Sequence, residues 1–208
     1  MMGLLIVGSL NNIDELVTLH NAQKLLDDLN EDCKKLLKNI IPGQIAVVCI
    51  QRVLQNLVSE KVSISDFPTI IEGIVEACNF SRNILTITEH VRWRLSRQIT
   101  FKNTDQSGML NIVTLSAYWE RVISNSIIGD GDFQQIVLPP SLIKDFIFCF
   151  NETYDRLAIM DEMPILVTTA YVRLFIRLIL EKVKPAVVIM SQNEVHPKVK
   201  IRSLGCVG

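Results

Sequence analysis

The feature that most restricts the fold is a change of hydrophobic period across one polar stretch, 102-KNTDQSG-108. Before it, apolar residues recur at three- and four-residue steps, the spacing of one helix face. After it, short apolar runs alternate with helical segments, the pattern of strands joined by helices. The chain is therefore expected to be mixed, with an N-terminal all-α subdomain followed by a small layered α/β subdomain whose sheet is partly parallel.

In the first half, Leu25, Leu26, Leu29, Cys33, Leu36, Leu37 and Ile40 form one stripe of a helix over 21–40, which Pro42-Gly43 ends. A second helix runs to about Ser59, with Val53, Leu54 and Leu57 on its apolar side. Ser65 or Asp66 can cap a third, with Pro68 in its first turn. A fourth spans 86–99, where Thr86 and Glu89 have capping-box spacing. Val91, Leu95 and Ile99 are its core side, and Arg92, Arg94 and Arg97 are expected to project elsewhere.

In the second half, strands are expected at 110–115, 133–138, 164–168, 185–190 and 199–207. Ser116 caps a helix reaching about Ile128, and 129-GDGD-132 is a turn. Pro139-Pro140 opens a long helix carrying Phe146, Phe150 and Leu157, and a further helix covers 170–183.

The net charge is −1, so no whole-chain field draws the protein to nucleic acid or anionic lipid. The 5 cysteines contain no CxxC pair and read as reduced, buried thiols. The opening MMGLLIVGSL has no basic leader and is about half the length of a bilayer span. No later run reaches the roughly 18 uncharged apolar residues a span needs. By itself the chain is expected to be soluble.

No GxxxxGK[ST] or GxGxxG fingerprint is present, so no nucleotide cofactor is expected. The GDGDF segment lacks the further oxygen ligands of a calcium loop, so no metal is expected. Neither His20 nor His90 is flanked by a nucleophile elbow. Three constellations stay open. In 190-MSQNEVHPK-198, Asn193, Glu194 and His196 follow an apolar run. They are either an acid–base site at the C-terminal end of a strand or a turn whose polar side chains satisfy backbone groups before Pro197. The stretch 92-RWRLSRQ-98 is either a small basic–aromatic surface for single strands or a solvated helix face with its tryptophan tucked under. Arg173, Arg177 and Glu181 stand at four-residue steps. They make a solvent face with a weak Arg–Glu pair or, with Lys198, Lys200 and Arg202, a docking surface for an acidic partner or a neighbouring subunit.

Several ordered blocks resemble one family. 51-QRVLQNLVSEKVSISDFPTIIEGIVEA-77 resembles a helix ending in VLQNLL, a VSIRD connector and a TIIEAL helix of the flagellar type III export-gate (FlhA-type) family. 88-TEHVRWRLSRQI-99 is similar to that family's TEHVR-ALARQI helix, and 164-PILVTTAYVRLFIRLILE-181 to its PVLVTSPxIRPFVRRxLE segment. 189-IMSQNEVHPKVKIRSLGCV-207 resembles its ending, VMSQNEIHPxxxIKxVGxV. The likeness begins near Val17. It marks 1–16 as a divergent segment, 17–102 as a helical subdomain and 108–208 as an α/β subdomain, the last two of four cytosolic subdomains in the family.

The resemblance implies a non-enzymatic component of the export gate, with no catalytic, cofactor or metal residues. It implies ring contacts with other gate subunits, weak handling of export chaperones and substrates, and no nucleic acid. The full-length family sits at the cytoplasmic face of the bacterial inner membrane. The membrane helices and the main chaperone-docking cleft belong to parts this chain lacks. The positions that match family motifs or could serve an interface are Arg52, Gln55, Asn56, Ser63, Asp66, Glu89, Arg92, Arg97, Arg173, Arg177, Asn193, Glu194 and His196. Two other readings are a small α/β enzyme with its site at Glu194 and His196, and a non-functional fragment of the gate.

Overall fold

The computed structural model describes residues 18–28, 31, 34–35, 43–129, 134–160 and 162–208. The expected segment 1–16, the stripe residues Leu29, Cys33, Leu36, Leu37 and Ile40, and 130–132 of the GDGD turn lie outside the described residues. Contacts divide the chain into two compact units, the first running to Val91 and the second from Arg92 to Gly208.

The first unit is helical. Helix α1 (Leu19–Asp27) starts where Thr18 accepts a hydrogen bond from the Asn21 amide, and it ends at Asp28; of the rest of the expected 21–40, residues 31, 34 and 35 are helical and the others lie outside the described residues. Helix α2 (Gly43–Ser59) buries Ile50, Val53, Leu54 and Leu57 completely. It closes with the Val62 amide on the Leu57 carbonyl and Lys61 in the left-handed region at φ 58°, a Schellman-type ending without the usual glycine. Asp66 caps α3 (Phe67–Ala77), accepting from the Thr69 amide.

Helix α4 (Ile84–Arg94) begins two residues before the capping-box reading placed it. The Asn83 carboxamide oxygen accepts from the amides of Leu85 (2.8 Å) and Thr86 (3.4 Å), so Asn83 fills the cap and Thr86 lies inside the first turn. Within this unit Asn56 donates to the Thr88 hydroxyl at 3.1 Å, and His90 is hydrogen-bonded to Glu76 at 3.0 Å.

In the second unit α4 gives way at Leu95 to a separate short helix, α5 (Ser96–Lys102), where one helix over 86–99 was expected. The polar stretch then turns on Asp105. Its Oδ1 accepts from the Ser107 hydroxyl (2.6 Å) and from the amides of Ser107 (2.8 Å) and Met109 (2.9 Å). These bonds, the Ser107 hydroxyl foremost, hold its carboxyl below the usual range. Gly108 takes φ 76°, a left-handed conformation that glycine enters freely.

The remaining elements are β1 (Met109–Leu115), α6 (Ala117–Asn125), β2 (Ile127–Ile128), β3 (Gln135–Ile136), α7 (Pro140–Ile159), β4 (Ile165–Thr168), α8 (Ala170–Leu180), β5 (Ile189–Ser191) and β6 (Lys200–Val207). The main sheet runs β5-β4-β1-β6 with every pair parallel; among the described residues, antiparallel pairing is confined to the small β2–β3 ribbon. All of β4 is buried, which is why it reads as an unbroken apolar run. Strand β5 is shorter than the expected 185–190 because the Val187 amide is held in a turn by the Lys184 carbonyl. The β1–β6 register shifts between Ile112 and Val113, and Gly205 at φ 154° lies where the Arg156 guanidinium comes within 3.9 Å of a would-be Cβ.

Helices α6, α7 and α8 supply a core around Val113, Leu166 and Val207. Its aromatics interlock: Trp119 meets Phe146 edge-on at 5.3 Å, and Phe150 stacks on Tyr154 at 4.2 Å. Burial pushes the Tyr154 hydroxyl pKa up. Glu120, in the first turn of α6, accepts from the Thr169 amide (3.0 Å) and hydroxyl (2.8 Å), so one helix caps the start of another.

The cap assignment at α4 is open to test. Asn83→Ala is expected to lower unfolding free energy by about 1 kcal/mol. Thr86→Ala should change it by less than about 0.5 kcal/mol. Urea denaturation followed by circular dichroism distinguishes them, and a larger loss at Thr86 would overturn the assignment.

Candidate functional site

The family ending folds into a short, densely bonded turn. Gln192–Glu194 form one turn of 3-10 helix after β5, and the Glu194 carboxylate reaches back to the Ser191 amide at 2.8 Å, a capping-box arrangement. The same carboxylate accepts from Arg92, with Nε to Oε1 at 2.6 Å and Nη2 to Oε2 at 3.2 Å. Arg92 is 2% exposed and Glu194 1%, so this is a buried, bidentate ion pair. The Arg92 Nη2 also donates to the Ile189 carbonyl at 3.4 Å. That carbonyl receives Nη1 of Arg173 too, at 3.3 Å, from α8. Two guanidinium groups thus converge on the start of β5.

Thr100 of α5 completes the clamp. Its hydroxyl donates to the Glu194 carbonyl at 2.7 Å and accepts from the His196 amide at 3.0 Å. The His196 ring is half-buried, lies 5.4 Å from Phe101 and accepts through Nδ1 from the Lys198 amide at 3.3 Å. Asn193 is exposed.

This geometry does not assemble the acid–base site that was one reading of Glu194 and His196. Both carboxylate oxygens already accept donors and the group is sealed from solvent. An open groove of about 560 Å³ in this unit lies elsewhere: Asn103, Asp105, Asn111, Glu162 and Arg202 line it, near the N-terminal ends of β1 and β6. The turn reading is the one the hydrogen bonds support.

Two further expectations reverse. Arg92 does not project into solvent, and the tryptophan is not tucked under: Trp93 is 48% exposed while Arg92 is buried. The Arg–Glu pair to Glu194 pulls the guanidinium inward and turns the next residue out. Arg173 and Arg177 are likewise buried rather than lining a solvent face. Their tips end on backbone carbonyls, Ile189 for Arg173 and Pro185 for Arg177 (3.4 Å). Arg97 is exposed, as expected.

The other motif positions lie in the first unit. Arg52 is exposed on α2, with Gln55 and Asn56 half-buried beside it. Ser63 is hydrogen-bonded to Ser65 at 2.8 Å, Asp66 caps α3, and Glu89 is half-buried on α4. Sequence reasoning missed Thr100 and Glu120. Thr100 had a signal, because it directly follows the buried stripe residue Ile99.

Comparison with known proteins decides the family. A model described as the FHIPEP family matches residues 6–200. The chain belongs to the FHIPEP family. It is 41% identical to the flagellar biosynthesis protein FlhA of Caulobacter vibrioides over 196 residues, which is 94% of this chain and 28% of that protein. It is 28% identical to FlhA of Bacillus subtilis over 193 residues, 93% of this chain and 28% of that protein. The chain therefore spans about a quarter of the length of these curated relatives.

Among solved structures, the Chlamydia pneumoniae CdsV protein superposes with a TM-score of 0.85 at 22% identity, covering 95% of this chain and 56% of that one. The nonameric EPEC SctV-C gives 0.74 at 20% identity, covering 94% and 58%. CdsV in complex with CdsO gives 0.79 at 21%, covering 94% and 57%. The mixed fold with its parallel sheet is thus the fold of type III export-gate C-terminal domains. Among the described residues, no helix is long and apolar enough to cross a membrane.

Because the ion pair is buried, removing one partner leaves an uncompensated charge. Arg92→Met or Glu194→Leu alone should cost about 3–5 kcal/mol of stability, while the double replacement Arg92→Met/Glu194→Leu should recover most of it. A double-mutant cycle in urea measures this, and additive losses would show that the pair does not act as a unit.

Proposed function

We propose that this chain is an interaction module of the type III protein export gate, working through contacts with like subunits, chaperones and export substrates and making or breaking no covalent bond. The observation that carries the reading is the 41% identity to a flagellar FlhA across 94% of the chain. A nonameric relative of the same fold supports ring contacts, and the CdsV–CdsO complex supports docking of a further secretion component. The subdomains 17–102 and 108–208 are proposed to be the third and fourth cytosolic subdomains of the gate.

The motif positions divide by exposure. Arg92, Arg173 and Glu194 are proposed to hold the turn after β5 in shape, since all three are buried. Arg52, Arg97 and Asn193 are proposed as the contact residues, since they reach solvent. The working place is proposed to be the cytoplasmic face of the bacterial inner membrane.

Purified chain immobilised for capture of flagellar export chaperones provides the test, with the complete cytosolic part of the Caulobacter relative alongside. Binding at least about tenfold weaker than the longer protein, equivalent to about 1.4 kcal/mol, is expected because the main docking cleft is placed in the segments this chain does not match. Equal binding would overturn that placement. In a strain lacking the gate, expression of this chain should not restore swimming; restored motility would show that these residues suffice for export.

A further inference from the structure

The four-stranded sheet has two edges, and the chain treats them differently. At one, β5 is 3 residues long and buried throughout, and the Ile189 carbonyl takes a donor from Arg92 and another from Arg173. At the other, β6 is 8 residues long and pairs with β1 alone. It exposes Lys200, Ile201, Arg202 and Ser203 in succession, Ile201 by 51%. Among the described residues, no element besides β1 and the Ser116 amide that follows it bonds the β6 backbone. Neither proline nor a bulge interrupts the exposed stretch. The register shift against β1 comes after Ser203, so Lys200–Ser203 pairs regularly with Met109–Ile112. Such an edge presents a row of backbone donors and acceptors that a further strand can take up.

We propose that β6 is a strand-addition site for an extended acidic segment of another protein, which joins the sheet as a fifth strand beside Lys200–Ser203. The side chains select that partner. Successive residues of a strand point to opposite faces, so Lys200 and Arg202 share one face and Ile201 takes the other. Residues set against them should alternate acid, apolar, acid, each pair adding to the backbone bonds. The cations are available for this. Among the described residues, neither Lys198 nor Lys200 has a carboxylate within ion-pair distance. Arg202 gives one nitrogen to Glu162 at 2.9 Å and its side chain stays 51% exposed. The Asp105 carboxylate, just before β1, is turned to its own loop.

A second copy of this chain fits the edge poorly. An antiparallel pair of β6 strands centred on Ile201 would set Lys200 of each copy against Arg202 of the other, like charge on like charge. The same two cations that keep copies apart therefore attract a strand bearing carboxylates. The inference goes beyond the export reading and does not depend on it, because it needs only the sheet of the second unit.

The test uses the whole chain and three end-blocked, fluorescein-labelled peptides. One alternates glutamate and valine, one has the same composition with its glutamates and valines in separate blocks, and one alternates lysine and valine. In fluorescence polarisation the alternating acidic peptide is expected to bind at least about tenfold tighter than either control. Amide hydrogen exchange read by NMR should then slow at alternate residues of β6, with β5 unchanged. Methylating the backbone nitrogens along one edge of the acidic peptide should abolish binding, and along the other edge should not. Lys200→Glu, at an exposed position, should weaken the acidic peptide by about fivefold and strengthen the lysine one. Four results would overturn the proposal: no binding of the alternating acidic peptide, equal binding of the block peptide, protection that falls outside β6, or self-association of the chain that protects β6.

Discussion

One buried ion pair organises the C-terminal unit. Arg92 and Glu194 are 102 residues apart in sequence, yet they meet at 2.6 Å with both side chains almost fully buried. Such a pair adds little net stability, because desolvating both charges offsets their attraction. Its effect is on geometry. The guanidinium offers two donors to one carboxylate, so the end of α4 and the turn after β5 fit in one register only. Thr100 and Arg173 hold the backbone on either side of that turn. Asn193 and His196 are positioned as a result, although neither touches the ion pair through a described side-chain bond.

The same economy of polar groups recurs at the helix ends. Asp66, Asn83 and Ser116 cap from their own chain neighbourhood. Glu120 instead reaches from α6 to the first residues before α8. Local caps end an element; the reach of Glu120 also fixes the spacing of two helices that pack on the same sheet.

Much of this was legible beforehand. The change of period at 102–108 separated a helical part from strands, and β1, β4 and β6 appeared at nearly their final bounds, because buried parallel strands are continuous apolar runs. What failed was local competition. A serviceable capping-box spacing at Thr86 obscured the better cap three residues upstream at Asn83. A valine-rich run was truncated by a turn at Lys184. The arginines misled most, since helical spacing shows which residues share a face but not that a cation is drawn inward by a carboxylate a hundred residues away.

The position of β1 in the sheet carries a consequence for how the unit forms. It is the hub between β4 and β6, and β6 aligns with it along its whole length, from Met109 with Lys200 to Leu115 with Val207. The hub is translated long before its flanking strand. Until β6 emerges, one edge of the central strand has no partner and Glu194 has not reached Arg92. The C-terminal unit should therefore complete late, in a slow and strongly cooperative step set by long-range closure. Meanwhile it presents an apolar edge that other chains, or a chaperone, can reach first.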